Sequence, residues 1–453
     1  MASNGKPIVD IGRIIDDGKW SAYQKAALVI AALAVILDGF DNQILSLAIP
    51  VLIKAWGVTR GDFQYVLTAG FAGMALGTAL FGTVGDRVGR RPTLICCVLL
   101  FALATIAISF VKGIPMLYPL RFLGGLGLGG AMPNAAALLA ELTPSRRRSL
   151  GVTLGIIGIP IGGTVGSLVA AKVLPTAGWE ALFLIGGLLP LVIAVIMFFV
   201  LPESPRFLSR RAERRADLSK LLGRMGHTVD ADAEFIDTGE RKPEKVSVGA
   251  VLSPYYLRDT LGLWGAMFFS LLSVYGVVNY LPAMLGEAGY PPAMTSTGLM
   301  YFNLGGVLFA LIGALAFGKF GSRTALLVMA AGAALASVGL GLVPLDPSVP
   351  STNLLIMLTL QGGFLNGVQT TMYALGAYIY ATEVRGTGVG WAVGLGRLGS
   401  ILSPLIGNSI IEAFGTRGFF FAIGCTIALA FVSLTLIRRH VPRTGAVEAA
   451  PAV

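Results

Sequence analysis

Charge is scarce in this chain. Only 13% of its 453 residues are Asp, Glu, Lys or Arg, where soluble domains carry about 25%. The mean hydropathy is +0.77. A soluble enzyme of this length is excluded, and an integral membrane protein is indicated. Histidine is nearly absent: the two present, His227 and His440, fall in polar segments, so no intramembrane histidine relay is available. The three cysteines, Cys96, Cys97 and Cys425, lie in apolar stretches. Adjacent Cys96 and Cys97 make a poor disulfide or metal pair, and all three read as small core residues. Neither a metal nor a cofactor is expected. No cleavable signal pattern precedes the first apolar run, which is expected to act as an uncleaved anchor.

Long apolar runs are what the chain has instead. A membrane helix needs about 20 apolar residues. Such runs occur near 24–51, 62–84, 92–111, 115–141, 150–173, 180–201, 260–284, 295–318, 324–343, 353–380, 386–412 and 417–437. They predict an all-α membrane protein with twelve spans in two six-helix bundles. The expected division is an N-terminal bundle over 1–203, a cytoplasmic linker over 204–259, a C-terminal bundle over 260–437 and a cytoplasmic tail over 438–453. The 60 glycines suit close helix packing in lipid. In the linker, Arg210, Arg211, Arg214 and Arg215 alternate with Leu218, Leu221 and Leu222. That pattern suits either an amphipathic helix on the inner leaflet or a solvated connection.

The net charge of +10 needs no nucleic acid. With the N-terminus inside, 27 of the 34 Lys and Arg residues fall in cytoplasmic segments. Only Lys54, Arg60, Lys112, Lys172 and Arg417 fall outside. This is the positive-inside asymmetry, with both termini cytoplasmic.

The remaining charges lie within spans. Asp38 and Asp41 stand three apart in Leu37–Gln43, hence on one helix face. A carboxylate at mid-membrane costs about 2.5–3.5 kcal/mol on insertion scales and is kept when it faces water, a partner charge or a moving ion. Arg121 in span 4 precedes Gly124, Gly125, Gly127, Gly129 and Gly130. It either snorkels to the interface or faces a central cavity. Arg397 in span 11 stands about eleven residues past the span's expected start, roughly 16 Å deep at 1.5 Å per residue. There a guanidinium in a wet cavity makes a carboxylate site. Further polar and aromatic candidates for a substrate site are Asn303, Gln361, Phe364, Tyr373 and Trp391, with Asn279, Asn366 and Gln369 beside them. Between spans 2 and 3, Gly85-Asp86-Arg87-Val88-Gly89-Arg90-Arg91 combines turn glycines, an anion suited to a helix N-terminus and three cations. It matches the cytoplasmic signature of the major facilitator superfamily, and a weaker echo follows span 8 at Gly318–Arg323. Likewise Arg146 before span 5 corresponds to Arg385 before span 11. Such half-repeats place a transporter's site between the halves, near the midplane.

Together, D-G-F-D in span 1, G-D-R-x-G-R-R after span 2, the Arg–Gly pattern of span 4 and G-x-G-R-L-G in span 11 resemble the aromatic acid:proton symporter family over about residues 20–440. The resemblance implies import of an aromatic carboxylate such as a hydroxybenzoate across the bacterial inner membrane. It implies proton coupling through Asp38, Asp41 and Arg121, substrate binding at Arg397, and gating by Gly85, Asp86, Arg87, Gly89, Arg90 and Arg91. The expected partners are protons, the small aromatic carboxylate and membrane lipids, with the carrier a monomer and not an enzyme. The competing expectation is a carrier of the same superfamily for an organic cation, a sugar or a drug, with antiport included.

Overall fold

The computed structural model of the chain describes residues 8–18, 20–144, 148–227, 229, 233–236 and 247–443; Arg146 of the half-repeat lies outside them, as do 228, 230–232 and 237–246 of the linker. In lipid every backbone polar group needs an internal partner, so uninterrupted apolar runs become helices. The long helices are α2 (Ala22–Trp56), α3 (Asp62–Val88), α4 (Arg90–Ile108), α5 (Ile114–Leu142), α6 (Arg148–Val200), α10 (Leu257–Glu287), α11 (Pro292–Phe320), α12 (Ser322–Leu342), α13 (Thr352–Ile379) and α14 (Thr382–Leu436). Among the described residues nine of these are long and apolar enough to cross a membrane. Of the nine, α6 breaks at Gly178 (φ 80°) and α14 at Gly415 (φ 66°). Each therefore supplies two segments, and the more polar α13 brings the total to twelve. Each expected span matches one of these segments, and those near 92–111, 180–201, 324–343, 353–380 and 417–437 run one to three residues past the end of the helix.

The remaining elements are short. They are β1 (Ile8–Asp10), α1 (Ile11–Asp17), α7 (Pro205–Ser209), α8 (Arg215–Arg224), β2 (Glu234–Ile236) and α9 (Val248–Val251). β1 and β2 pair in parallel, with Ile8 opposite Glu234 and Asp10 opposite Ile236. The apolar face of α8 carries Leu218, Leu221 and Leu222, all buried within the protein. The helix of the first expectation forms, but its apolar face is covered by protein, which corrects the expected covering by lipid or water.

Contacts divide the chain into two compact units. The first holds Met1–Asn42, Ala72–Gly162 and Glu180–Lys242; the second holds Gln43–Phe71, Gly163–Trp179 and Pro243–Val453. In the first, α4 and α5 pack closely, with Phe101, Leu128, Ala131 and Leu138 buried. In the second, α10 packs on α14 and α11 on α13, and Leu263, Met267, Met372, Leu375 and Tyr380 form a core.

Candidate functional site

The first unit buries a charged node. One turn separates Asp38 from Asp41 on α2, and both are buried. Between them, Gly39 stands where a Cβ would collide with the backbone of Ile159 on α6, so the glycine of D-G-F-D permits that approach. Asp41 has no solvent exposure and is held from two helices. Arg121 of α5 donates from Nη1 to its Oδ2 at 3.3 Å and from Nη2 to its backbone carbonyl at 3.5 Å. The Thr105 hydroxyl of α4 donates to Oδ1. Charge and hydrogen-bonding demands are thus met inside the protein, as a buried ion pair requires. The expectation left Arg121 either at the interface or in a cavity. It is buried on the carboxylate. Thr105 was not anticipated, because a lone hydroxyl in an apolar helix carries no pattern.

The G-D-R-x-G-R-R segment forms a second node in the same unit. Gly89 precedes α4 with φ 126°, a conformation side chains disfavour, and a Cβ there would strike the Glu203 carboxylate. Glu203 Oε1 accepts the backbone N–H groups of Arg90 (3.0 Å), Arg91 (3.1 Å) and Ser204 (2.9 Å). The anion at this helix N-terminus is therefore Glu203. Burial pushes its carboxyl above the usual range, outweighing those donors and the Arg214 charge. Asp86 is largely exposed and pairs with Arg90, which also reaches Asn134 Oδ1 at 3.5 Å. The Arg87 carbonyl accepts from Arg211, and the Phe198 carbonyl from Arg91.

In the second unit the candidates separate. Arg397 is half-buried on α14. Trp391, on the same helix, is 47% exposed, tilts against Trp264 at 6.2 Å, and lines a cavity of about 630 Å³ with Thr387, Gly390, Gly394 and Leu398. Gln361 is fully buried and donates to Ser337 Oγ on α12 at 2.9 Å. Phe364 meets Phe309 edge-on at 4.7 Å and covers Gly332 of α12. Tyr373 packs on the core. Asn303 exchanges amide hydrogen bonds with Gln43 on the far half of α2, at 3.0 and 2.7 Å. Three further contacts tie the same side of the unit. Ser46 donates to Asn279 Oδ1 (3.3 Å), Arg60 donates to Asn408 Oδ1 (3.3 Å), and Arg60 pairs with Glu287. The sequence offered these partners only as scattered polar residues.

Buried opposite charges inside a twelve-segment helical membrane protein are the furniture of a transporter. The family model of the Major Facilitator Superfamily matches residues 31–356. The chain belongs to that superfamily: it is a multi-pass membrane carrier of a small molecule and not an enzyme. Two relatives narrow the assignment. The chain is 34% identical over 406 residues to a gallate transporter of Pseudomonas putida, covering 89% of each. It is 36% identical over 408 residues to the 4-hydroxybenzoate transporter PcaK of Pseudomonas aeruginosa, covering 89% of this chain and 90% of that one. Within the superfamily it belongs to the aromatic acid transporter family. The inward-open structure of the xylose transporter XylE from E. coli superposes with a TM-score of 0.73 at 18% identity, over 92% of this chain and 97% of that one, which shows the shared fold.

Proposed function

We propose that the protein imports an aromatic carboxylic acid such as a hydroxybenzoate with a proton, by alternating access across a bacterial inner membrane, both termini being cytoplasmic. The observation that carries the coupling is the buried set Asp41–Arg121–Thr105. A carboxylate paired with a guanidinium and a hydroxyl on neighbouring helices changes both contacts when it takes a proton. Protonating Asp41 cancels its charge and loosens the pair, leaving Arg121 a cation in search of a partner. Such an exchange of partners links proton loading to movement of α2 against α4 and α5. Arg397 supplies the guanidinium for the substrate carboxylate, and the aromatic and apolar groups of α14 around Trp391 suit its ring. Support for an aromatic acid comes from the relatives, whose names include gallate, 4-hydroxybenzoate and benzoate.

The test is uptake of radiolabelled 4-hydroxybenzoate and gallate into proteoliposomes under an imposed pH gradient, with nicotinate and a sugar as comparisons. Accumulation of an intact aromatic acid that collapses with a protonophore is expected. Accumulation unaffected by the protonophore overturns proton coupling. Unchanged affinity in Arg397→Ala overturns the anion site and favours a carrier of a cation or a sugar.

A further inference from the structure

Where α4 begins and α6 ends, α8 folds over a cavity of about 240 Å³ within the first unit. Its wall carries four cations, Arg91, Arg214, Lys220 and Arg224, and two carboxylates, Glu203 and Asp217. Both carboxylates are engaged: Glu203 by the three N–H groups already described, Asp217 by Arg214 Nε at 2.9 Å. The cations are less so. Arg91 spends one guanidinium nitrogen on the Phe198 carbonyl, while its buried Nε has no hydrogen-bond partner among the described residues. Arg224 lies 5.8 Å over the Tyr23 ring. Neither Lys220 nor Arg224 pairs with a carboxylate among the described residues. The pocket therefore presents a net excess of positive charge with donors to spare.

Its remaining wall is apolar and ends a membrane segment. Phe199 lines it and is 74% exposed, with Phe198 beside it also exposed. Donors on one side and an exposed aromatic step into the hydrocarbon on the other match a ligand with a phosphate head and an acyl tail. Basic pockets at the ends of membrane helices bind such headgroups, and arginine favours phosphate oxygens. We infer that this pocket is a phosphate site occupied by the headgroup of an anionic phospholipid, its acyl chains lying along Phe198 and Phe199. The α8 roof is then a lipid clamp that ties the linker to the membrane face of α4 and α6. The inference does not depend on which molecule is carried.

Native mass spectrometry of the purified full-length protein, titrated with phosphatidylglycerol or phosphatidylcholine, tests it. Phosphatidylglycerol should be retained in preference to phosphatidylcholine. Lys220→Gln/Arg224→Gln should weaken that retention about twenty-five-fold, at about fivefold per cation. The charge-conserving Lys220→Arg/Arg224→Lys should restore it, which separates charge from folding. Inorganic phosphate should fail to displace the lipid. Equal retention by wild type and the Gln variant overturns the site. Protection from heat by inorganic phosphate alone, with no preference for phosphatidylglycerol, overturns the lipid as occupant.

Discussion

Gln43 and Asn303 satisfy each other. The Gln43 amide donates to Asn303 Oδ1 at 3.0 Å, and the Asn303 amide returns a hydrogen bond to Gln43 Oε1 at 2.7 Å and gives its second to the Leu299 carbonyl at 2.9 Å. Both side chains are buried. A residue that reads as a substrate ligand is here a fastener between the far half of α2 and α11. Removing one partner strands the other, at about 1–3 kcal/mol. Asn303→Ala should therefore lower the thermal midpoint of the detergent-purified protein. Gln43→Ala/Asn303→Ala should cost less than the two single losses added together. Simple additivity in that double-mutant cycle would show that the pair is not energetically coupled.

Asp41 and Arg121 should behave in the same non-additive way, more strongly. Truncating one member of a buried pair costs about 3–5 kcal/mol, because the other charge is left unpaired. Asp41→Ala and Arg121→Ala should each destabilise the carrier severely, and the double variant should recover part of the loss. The subtler Asp41→Asn keeps one oxygen to accept from Arg121, can donate its amide N–H to the Thr105 hydroxyl, and cannot be ionised. It should still exchange labelled for unlabelled substrate across the membrane while failing to accumulate it against a gradient. Full accumulation by Asp41→Asn under a pH gradient would exclude this carboxylate as the proton carrier.

The helices were legible because lipid forces apolar runs into a single backbone conformation. The first span, expected near 24–51, is Ala22–Trp56. The charged residue types of the node were legible for the opposite reason, that a charge in such a run is conspicuous. Their partners were not. Thr105 differs from its apolar neighbours by one hydroxyl, and its value depends on Asp41 standing opposite on another helix. Gln361 and Asn303 had the chemistry of ligands, yet a buried amide serves packing equally well, and only the neighbouring helix decides. The apolar rhythm of α8 was equally visible, but rhythm does not say whether lipid, water or protein will cover it.

Glu203 carries a pH dependence of definite sign. Burial raises its carboxyl above the ordinary 4.5. The folded protein thus holds this proton more tightly than the unfolded chain does. Its contribution to stability is complete below pH 4.5 and declines as the pH rises through the elevated value. Glu203→Gln keeps an oxygen acceptor for the N–H groups of Arg90 and Arg91 without the ionisation. The stability of wild type relative to Glu203→Gln should fall as the pH rises from 4.5, measured by thermal melting. A difference independent of pH would contradict the burial argument.

His440 should show the opposite slope. It lies beyond α14, where the chain returns to α12. Nε2 stands 3.0 Å from the Ile437 carbonyl, which can only accept, so Nε2 carries the hydrogen. Nδ1, 3.1 Å from Ser322 Oγ, then accepts the serine hydroxyl proton, while that same oxygen accepts the Val441 N–H at 2.8 Å. The arrangement needs a neutral ring. Burial, with Arg323 adding to it, lowers the histidine below its ordinary 6.5, despite the Ile437 hydrogen bond and the Asp259 carboxylate. Its contribution is therefore complete above pH 6.5 and lost as the pH falls through the lowered value, because protonated Nδ1 can no longer accept from Ser322. Hydrogen exchange of the Val441 amide should accelerate as the pH is lowered, after correction for the intrinsic rate. In His440→Gln that acceleration should disappear. Equal acceleration in the variant would assign the loosening to a group other than His440, while the Arg438 N–H donates to Asp259 at 2.6 Å and anchors the same segment in both proteins.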